Sequence, residues 1–299
     1  MSTAALQTHG LGKRYGRRWA LRNCTLSIPV GSVVGLVGPN GAGKTTLLHL
    51  AVGLLSPSAG SIEALGEPVG SDPRHLTNVG FVAQDTPLYP TLSVAEHLRL
   101  GESLNPGWDR ELAGERIGRL GLDPSQRAGQ LSGGQKAQLA LTLAICKRPE
   151  LLVLDEPVAS LDPLARREFL QDLMEVATEY EVSVVLSSHL VGELERVCDH
   201  LVLLAAGNVA LSGHVEELLA SHRRLTGARR DPERLPASQE VIEASHTDRQ
   251  STLLVRTSEP IHDPSWAVEE VGVEDLVLAY MGRTSDPQQA RPQLSAVRR

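Results

Sequence analysis

The 299-residue chain is 41% hydrophobic and carries a formal charge of −7. That is enough apolar material for one large domain with a small appendage, and too acidic a balance for a nucleic-acid binder working through bulk electrostatics. Its three cysteines, Cys24, Cys146 and Cys198, are odd in number and widely spaced, which fits neither a disulfide framework nor a Cys-x-x-Cys metal site and points to a reducing compartment.

The N-terminus lacks the pattern of a secretory leader, and no window reaches the roughly 18 uninterrupted apolar residues of a spanning helix. A membrane role would therefore come through a partner. Along the chain, "SVVGLVG" from Ser32 predicts a buried strand, followed by a helix from Lys44 to about Leu54. A second buried strand is predicted at "VGFVAQ" from Val79. Between Leu92 and Arg148 the strand signal gives way to helical patterns, including "SVAEHLRLGESL", where Ser93 and Glu96 have the spacing of a capping box.

Strand signals return with "LLVLD" at Leu151 and "VSVVLSSH" at Val182, separated by the helical segment "PLARREFLQDLMEVATEY". The strands are near-continuous apolar runs without in/out alternation, as in a parallel sheet covered on both faces, and the fold class is α/β. Ligands of such sheets bind beyond the carboxyl ends of the strands, so Gly38, Gln84, Asp155 and His189 are expected to converge on one crevice. After Leu219, the arginine- and proline-rich "SHRRLTGARRDPERLPASQE" reads as a linker, solvated or in contact with anionic lipid. "STLLVRT" and "WAVEEVGVEDLVLAYMG" then predict a small strand-and-helix module, and "RTSDPQQARPQLSAVRR" a disordered tail. There is no internal repeat.

"GPNGAGKTT", Gly38 to Thr46, fits G-x-x-x-x-G-K-[ST] between a strand and a helix. In such a loop Gly38, Pro39, Asn40, Gly41, Ala42 and Gly43 bring backbone close around phosphates. Lys44 reaches the β- and γ-phosphates, the Thr45 hydroxyl ligates Mg²⁺, and Thr46 adds a phosphate hydrogen bond. "LLVLDEP" ends a strand on two acids: Asp155 to hold Mg²⁺ and Glu156 to polarise the attacking water as general base. The plainer reading of this pair is that both acids cap the following turn. A second glycine loop, "LSGGQ" at Leu131 to Gln135, also opens a helix and presents N–H groups to an anion, which raises the question of why one domain would need two phosphate cradles.

The block "LSGGQKAQLALTLAICKRPELLVLDEPVASLDP", taken with "GPNGAGKTT", resembles the ATP-binding subunits of ABC transporters over roughly Leu6 to Ala220. The resemblance implies a P-loop NTPase with a RecA-like core sheet, an inserted helical subdomain and ATP and Mg²⁺ as ligands. Together with the composition changes after Leu219, it divides the chain into an ATPase domain at 1–220 (core 1–91 and 149–220, helical subdomain 92–148), a linker at 221–240, a C-terminal α+β module at 241–282 and a tail at 283–299. It also implies roles residue by residue. Tyr15 stacks on adenine, unless the ring packs inward. Gln84 touches Mg²⁺ and the attacking water, Asp162 forms the D-loop, and His189 contacts the γ-phosphate; the other nine of the ten histidines read as surface or capping residues. Two departures are Lys136, where the family more often has arginine, and "EPVASLDP", in which Val158 and Ala159 replace a smaller turn.

The second cradle then belongs to a neighbour. Ser132, Gly133, Gly134 and Gln135 of one ATPase subunit close the site of another in a head-to-tail pair, identical or not. The remaining partner is a separate transmembrane permease subunit, contacted near Gln84 through Leu88, Tyr89 and Leu92 unless these are ordinary core, and no nucleic acid is expected. The C-terminal module adds a second dimer contact or covers a sheet edge of its own subunit. The implied location is the cytoplasmic face of the membrane. The short C-terminal module resembles ABC-2-type exporters of drug- or lipid-like substrates more than importers. The rival readings are an importer subunit, or a soluble ABC-type ATPase acting on ribosomes or DNA. A P-loop kinase or GTPase is disfavoured by "LSGGQ".

Overall fold

The computed structural model describes residues 4–70, 76–230 and 235–285. Its opening hairpin, β1 (Ala4–Tyr15) and β2 (Arg18–Pro29), is followed by β3 (Val33–Val37), α1 (Lys44–Ala51), β4 (Ala59–Ala64) and the two-residue β5 (Glu67–Pro68). Strands β2, β1, β4 and β5 form an antiparallel sheet in that order. Next come β6 (Val79–Val82), then α2 (Val94–Leu104), α3 (Arg110–Arg119) and α4 (Gly133–Ile145), then β7 (Leu151–Asp155), α5 (Pro163–Glu179), β8 (Ser183–Ser187), the short α6 (Val191–Leu194), β9 (His200–Ala205) and β10 (Asn208–His214). The second sheet has the order β10-β9-β3-β8-β7-β6.

Strands β6, β7, β8, β3 and β9 are parallel neighbours, and every residue of β3, β7 and β8 is buried. This is the expectation drawn from their unbroken apolar runs. Leu6, Leu11, Leu21 and Ile28 of the hairpin join Leu47, Leu48 and Leu50 of α1 and Val34, Val153 and Val185 of the parallel strands in one cluster. Each such side chain contributes about 1.5–3 kcal/mol by leaving water, and together they hold the helix after β3 between the two sheets. Helix α1 stops at Ala51 rather than near Leu54. Gly53 takes φ +73° and the N–H groups of Leu54 and Leu55 turn back to the His49 carbonyl, a left-handed C-terminal stop.

The helices between β6 and β7 have their own core of Val94, Ile117, Leu122, Ala128, Leu131 and Leu139. The capping box read at Ser93 is present: Ser93 Oγ accepts the Glu96 N–H at 3.2 Å and Glu96 Oε2 accepts the Ser93 N–H at 2.7 Å. Leu88, which packs against this core, and Leu92 are half-buried, and Tyr89 is 61% exposed, so none of the three is fully buried. Arg116 of α3 is 3% exposed, and its guanidinium lies 2.5 Å from Asp172 Oδ2 on α5 and 3.3 Å from Thr142 Oγ1 on α4. Arg119 reaches the same carboxylate from a half-exposed position. Buried charge thus fastens α3 to α4 and α5.

Two compact units result, 1–209 and 210–299, dividing within β10. The second contains α7 (Val215–Ala220), β11 (His222–Ala228), β12 (Gln239–His246), β13 (Gln250–Thr257), β14 (Trp266–Glu269) and α8 (Val273–Ser285). Its antiparallel sheet runs β12-β13-β11-β14 over a core of Leu225, Leu253, Val255 and Trp266. Helix α8 buries Val273, Leu276, Val277 and Tyr280 at helical spacing.

Three expectations are corrected here. The stretch 221–240 is not a linker: β11 occupies its first half and lies between β13 and β14. Its arginines hid the strand because they are spent inside the unit. Arg224 pairs with Asp275 at 2.7 Å, Arg230 pairs with Asp263 at 3.2 Å, and Arg223 donates to the Leu219 carbonyl; Arg234 lies outside the described residues. The boundary moves accordingly to 209, because α7 packs on β11 and α8. Finally, His97 and His222 are buried rather than surface or capping residues. His97 Nδ1 donates to the Ser93 carbonyl and Nε2 accepts the Tyr89 N–H, while His222 joins the Leu218 carbonyl to the Tyr280 hydroxyl. A neutral imidazole offers one donor and one acceptor, which suits it to such bridges; burial keeps His222 below the usual histidine range. All three cysteines are free and buried, and burial pushes the Cys146 thiol up to about 12.

Replacing Asp172 by Ala leaves Arg116 buried without its partner and is expected to destabilise the first unit by about 3 kcal/mol. Arg119→Ala, at a half-exposed position, should cost about 1 kcal/mol or less. Urea unfolding of the two variants checks this, and equal losses would contradict the buried clamp.

Candidate active site

The parallel register decides which residues meet. Asp155 pairs with Ser187, and Leu36 pairs with the same serine from the other side, so the ends of β3, β7 and β8 lie level. The chain leaves β3 at Gly38, whose φ is +149° and where a β-carbon would stand 2.2 Å from the Leu204 carbonyl oxygen. Gly43 has φ +108°, and a β-carbon there would stand 2.6 Å from Leu21 Cδ2. Only glycine fits either place. The loop between them leaves the N–H groups of Gly41, Gly43, Lys44, Thr45 and Thr46 without hydrogen bonds among the described residues. So many unpaired donors at the start of a helix form a cradle for an anion.

Lys44 is 6% exposed. Its ammonium donates to the Gly38 carbonyl at 2.8 Å and lies 3.5 Å from Glu156 Oε1. Glu156 has φ +45°, unusual for a residue with a side chain. Its N–H is held by Ser187 Oγ at 2.8 Å, and its second carboxylate oxygen lies 3.1 Å from His189 Nδ1. The reading that Asp155 and Glu156 merely cap a turn does not describe this geometry: the Glu156 carboxylate is engaged by the loop lysine and the histidine after β8. Asp155 is 1% exposed and accepts the Ser187 hydroxyl at 2.7 Å through Oδ1. Its Oδ2 takes no hydrogen bond among the described residues, so one oxygen remains for a cation.

A cleft of roughly 750 Å³ is lined by Tyr15, Pro39, Asn40, Gly41, Ala42, Gly43, Lys44, Thr45, Thr46, Gln84, Glu156 and His189. Tyr15 is 51% exposed there and does not pack inward; the Lys13 ammonium lies 5.6 Å from its ring centre. Sequence reasoning missed Arg18 and Ala20 on the same wall. The signal for Arg18 was its position directly across the hairpin turn from Tyr15. It also missed Ser187, a hydroxyl within a buried apolar run.

Other expected residues lie elsewhere. Ser132, Gly134 and Gln135 line a separate groove of roughly 440 Å³ beside α5. Ser132 Oγ accepts the Gln135 N–H and Gln135 Oε1 accepts the Ser132 N–H, which leaves the Gly133 and Gly134 N–H groups without partners among the described residues at the start of α4. Asp162 caps α5, accepting the Leu164 and Ala165 N–H groups through Oδ1 at 3.0 Å each. Val158 is buried and Ala159 exposed in the turn before it. Among the described residues, one set of unpaired backbone donors thus lines the cleft, and the Gly133 and Gly134 donors lie outside it.

A family model described as ABC transporter matches residues 21–159. The chain is 36% identical over 228 residues to the Nod factor export ATP-binding protein I of Burkholderia orbicola, covering 74% of each. It is 34% identical over 225 residues to the Fe(3+) ions import ATP-binding protein FbpC 2 of Rhodococcus jostii, covering 73% of this chain and 65% of that one. Among solved structures, an ATP-binding subunit of an ABC transporter superposes with a TM-score of 0.65 at 28% identity over 72% of this chain and 92% of its own. A dimeric ATP-binding cassette in a post-hydrolysis state with ADP and Pi superposes with a TM-score of 0.62 at 25% identity, over 70% and 98%. Export and import subunits alike stand among its relatives, and the chain belongs to the ATP-binding subunits of ABC transporters.

Proposed function

We propose that this subunit hydrolyses ATP at the cleft and drives a separate transmembrane permease by the opening and closing of a pair of such subunits. The observation that carries the reading is the split between the two cradles: Lys44, Glu156 and His189 are joined in one cleft, and the free Gly133 and Gly134 donors lie outside it. A second subunit, placed head to tail, brings those donors and the α4 dipole to the open side of the triphosphate. The dimeric cassette with ADP and Pi among the structural relatives supports such pairing.

In this reading Tyr15 stacks on the adenine and the loop amides with Lys44 hold the β- and γ-phosphates. Thr45, Asp155 and Gln84 would hold Mg²⁺. Among the described residues no cluster of three His, Cys, Asp or Glu side chains suits a metal. When bound, Mg²⁺ neutralises charge developing on the phosphates. Glu156 orients and polarises the attacking water, and His189 bridges that carboxylate and the γ-phosphate. Asp162, capping α5, faces the second subunit. Loss of the γ-phosphate removes charge-assisted contacts across the pair, which reopens.

No helix among the described residues is long and apolar enough to cross a membrane, which supports a peripheral subunit on the cytoplasmic face of a permease. We assign export of a drug- or lipid-like substrate. The 228 residues aligned to the Nod factor export relative are 74% of it, whereas 225 are only 65% of the iron import relative, so the importer is the longer chain. Identifying the membrane protein that co-purifies and assaying vesicles for the direction of transport tests this. Uptake would overturn the exporter assignment, and recovery with ribosomes or DNA alone would overturn transport.

Glu156→Gln is expected to bind ATP, lose roughly 100-fold or more in kcat, and accumulate as a dimer in light scattering at saturating ATP; a monomeric variant would rule out the closed pair. Ser132→Arg places a bulky cation where the second subunit's triphosphate meets α4. It should abolish ATP-driven dimerisation while the isolated subunit's ATP affinity, read by calorimetry, stays within about twofold, less than 0.5 kcal/mol.

A further inference from the structure

One ion pair in the first unit joins two segments of the site that no role above connects. Arg166 lies in the first turn of α5, just after Asp162, and Glu193 lies in α6, just after His189. Arg166 NH1 is 2.8 Å from Glu193 Oε1, and NH2 donates to the Leu161 carbonyl at 3.0 Å. One guanidinium therefore grips the residue before Asp162 and the turn that follows His189. The two side chains are only 20% and 26% exposed.

The pair is incompletely satisfied. Arg166 Nε and Glu193 Oε2 are buried without a hydrogen-bond partner among the described residues. Buried polar atoms left in this way are costly, and an Arg–carboxylate pair kept for stability alone would close them into a bidentate fork. Here the guanidinium is divided between a carboxylate on α6 and a backbone carbonyl of the Asp162 turn. That arrangement gives up a hydrogen bond and gains a mechanical link. Helix α6 has only four residues, too short to hold the preceding histidine in place by its own hydrogen bonds. Its anchors are Leu194, buried beside Gly35 and Cys198, and the Glu193 carboxylate.

We propose that Arg166 and Glu193 are positioning residues for ATP hydrolysis: by tying the His189 segment to the Asp162 turn they set the imidazole against Glu156. The inference rests on the hydrolytic reading of Glu156 and His189 given above. It adds a route by which a second subunit touching the Asp162 turn is felt at His189. Neither residue lines the cleft, so their effect falls on turnover rather than on nucleotide affinity.

The test uses the full chain with Glu193→Gln, Arg166→Lys, the charge-swapped double variant Arg166→Glu/Glu193→Arg, and the exposed neighbour Glu195→Gln as control. Glu193→Gln is expected to lower kcat roughly tenfold with the Kd for ATP within about twofold, and the double variant to recover part of that loss. Amide hydrogen exchange should rise in residues 159–165 when Glu193 is changed, and in residues 187–194 when Arg166 is changed, with neither moving in Glu195→Gln. Unchanged kcat, or exchange confined to the mutated segment, would overturn the proposal. A wild-type chain that binds ATP but never hydrolyses it would instead overturn the preceding reading and the catalytic role of the pair with it. The exchange arm separates that failure from failure of the link itself.

Discussion

The Ser187 hydroxyl donates to Asp155 Oδ1 at 2.7 Å and accepts the Glu156 N–H at 2.8 Å, across the boundary between two parallel strands. Much of the site follows from this one buried group. It holds Asp155 with a single oxygen free, and it secures Glu156 in a left-handed backbone conformation that costs on the order of 1 kcal/mol or more. With the backbone so held, the Glu156 carboxylate reaches the Lys44 ammonium on one side and the His189 imidazole on the other. The arrangement depends in turn on the level ends of β3, β7 and β8, which the fully buried parallel strands impose.

The helices between β6 and β7 obey a different constraint. Their apolar core is self-contained, and buried charge on Arg116 and Asp172 fastens it to α5, whose capping residue is Asp162. The N-terminus of α4 and the first turn of α5 are neighbours, with a β-carbon at Gly134 falling 3.2 Å from that of Ala165. The parts read as facing a second subunit thus form one surface feature. The residues that line the cleft form another.

Much of this was legible in the amino-acid sequence, for identifiable reasons. Unbroken apolar runs such as "LLVLD" and "VVGLV" marked the parallel strands because burial on both faces leaves no polar alternation. Of the residues at the ends of those runs, Gln84 and His189 line the cleft as topology requires, whereas Gly38 and Asp155 are not among its lining residues. What could not be read depended on the third dimension. The conflict between arginine-rich composition and strand structure at His222–Ala228 resolves only once Asp275 and Asp263 are found beside Arg224 and Arg230. The buried bridging of His97 and His222 has no sequence pattern, and Arg18 needed the hairpin register to be placed in the cleft. The Arg166–Glu193 link likewise joins residues of α5 and α6 that lie far apart along the chain.

The central claim is that the LSGGQ segment of one subunit completes the phosphate site of another. Mixing two disabled variants tests it directly. Lys44→Ala lacks its own phosphate lysine but keeps α4 intact, and Ser132→Arg is the reverse. Each alone should be nearly inactive, while the mixture forms pairs with one intact composite site and should recover ATP hydrolysis well above either component. A mixture no more active than its parts would contradict the account, because it would place both segments at the site of a single chain.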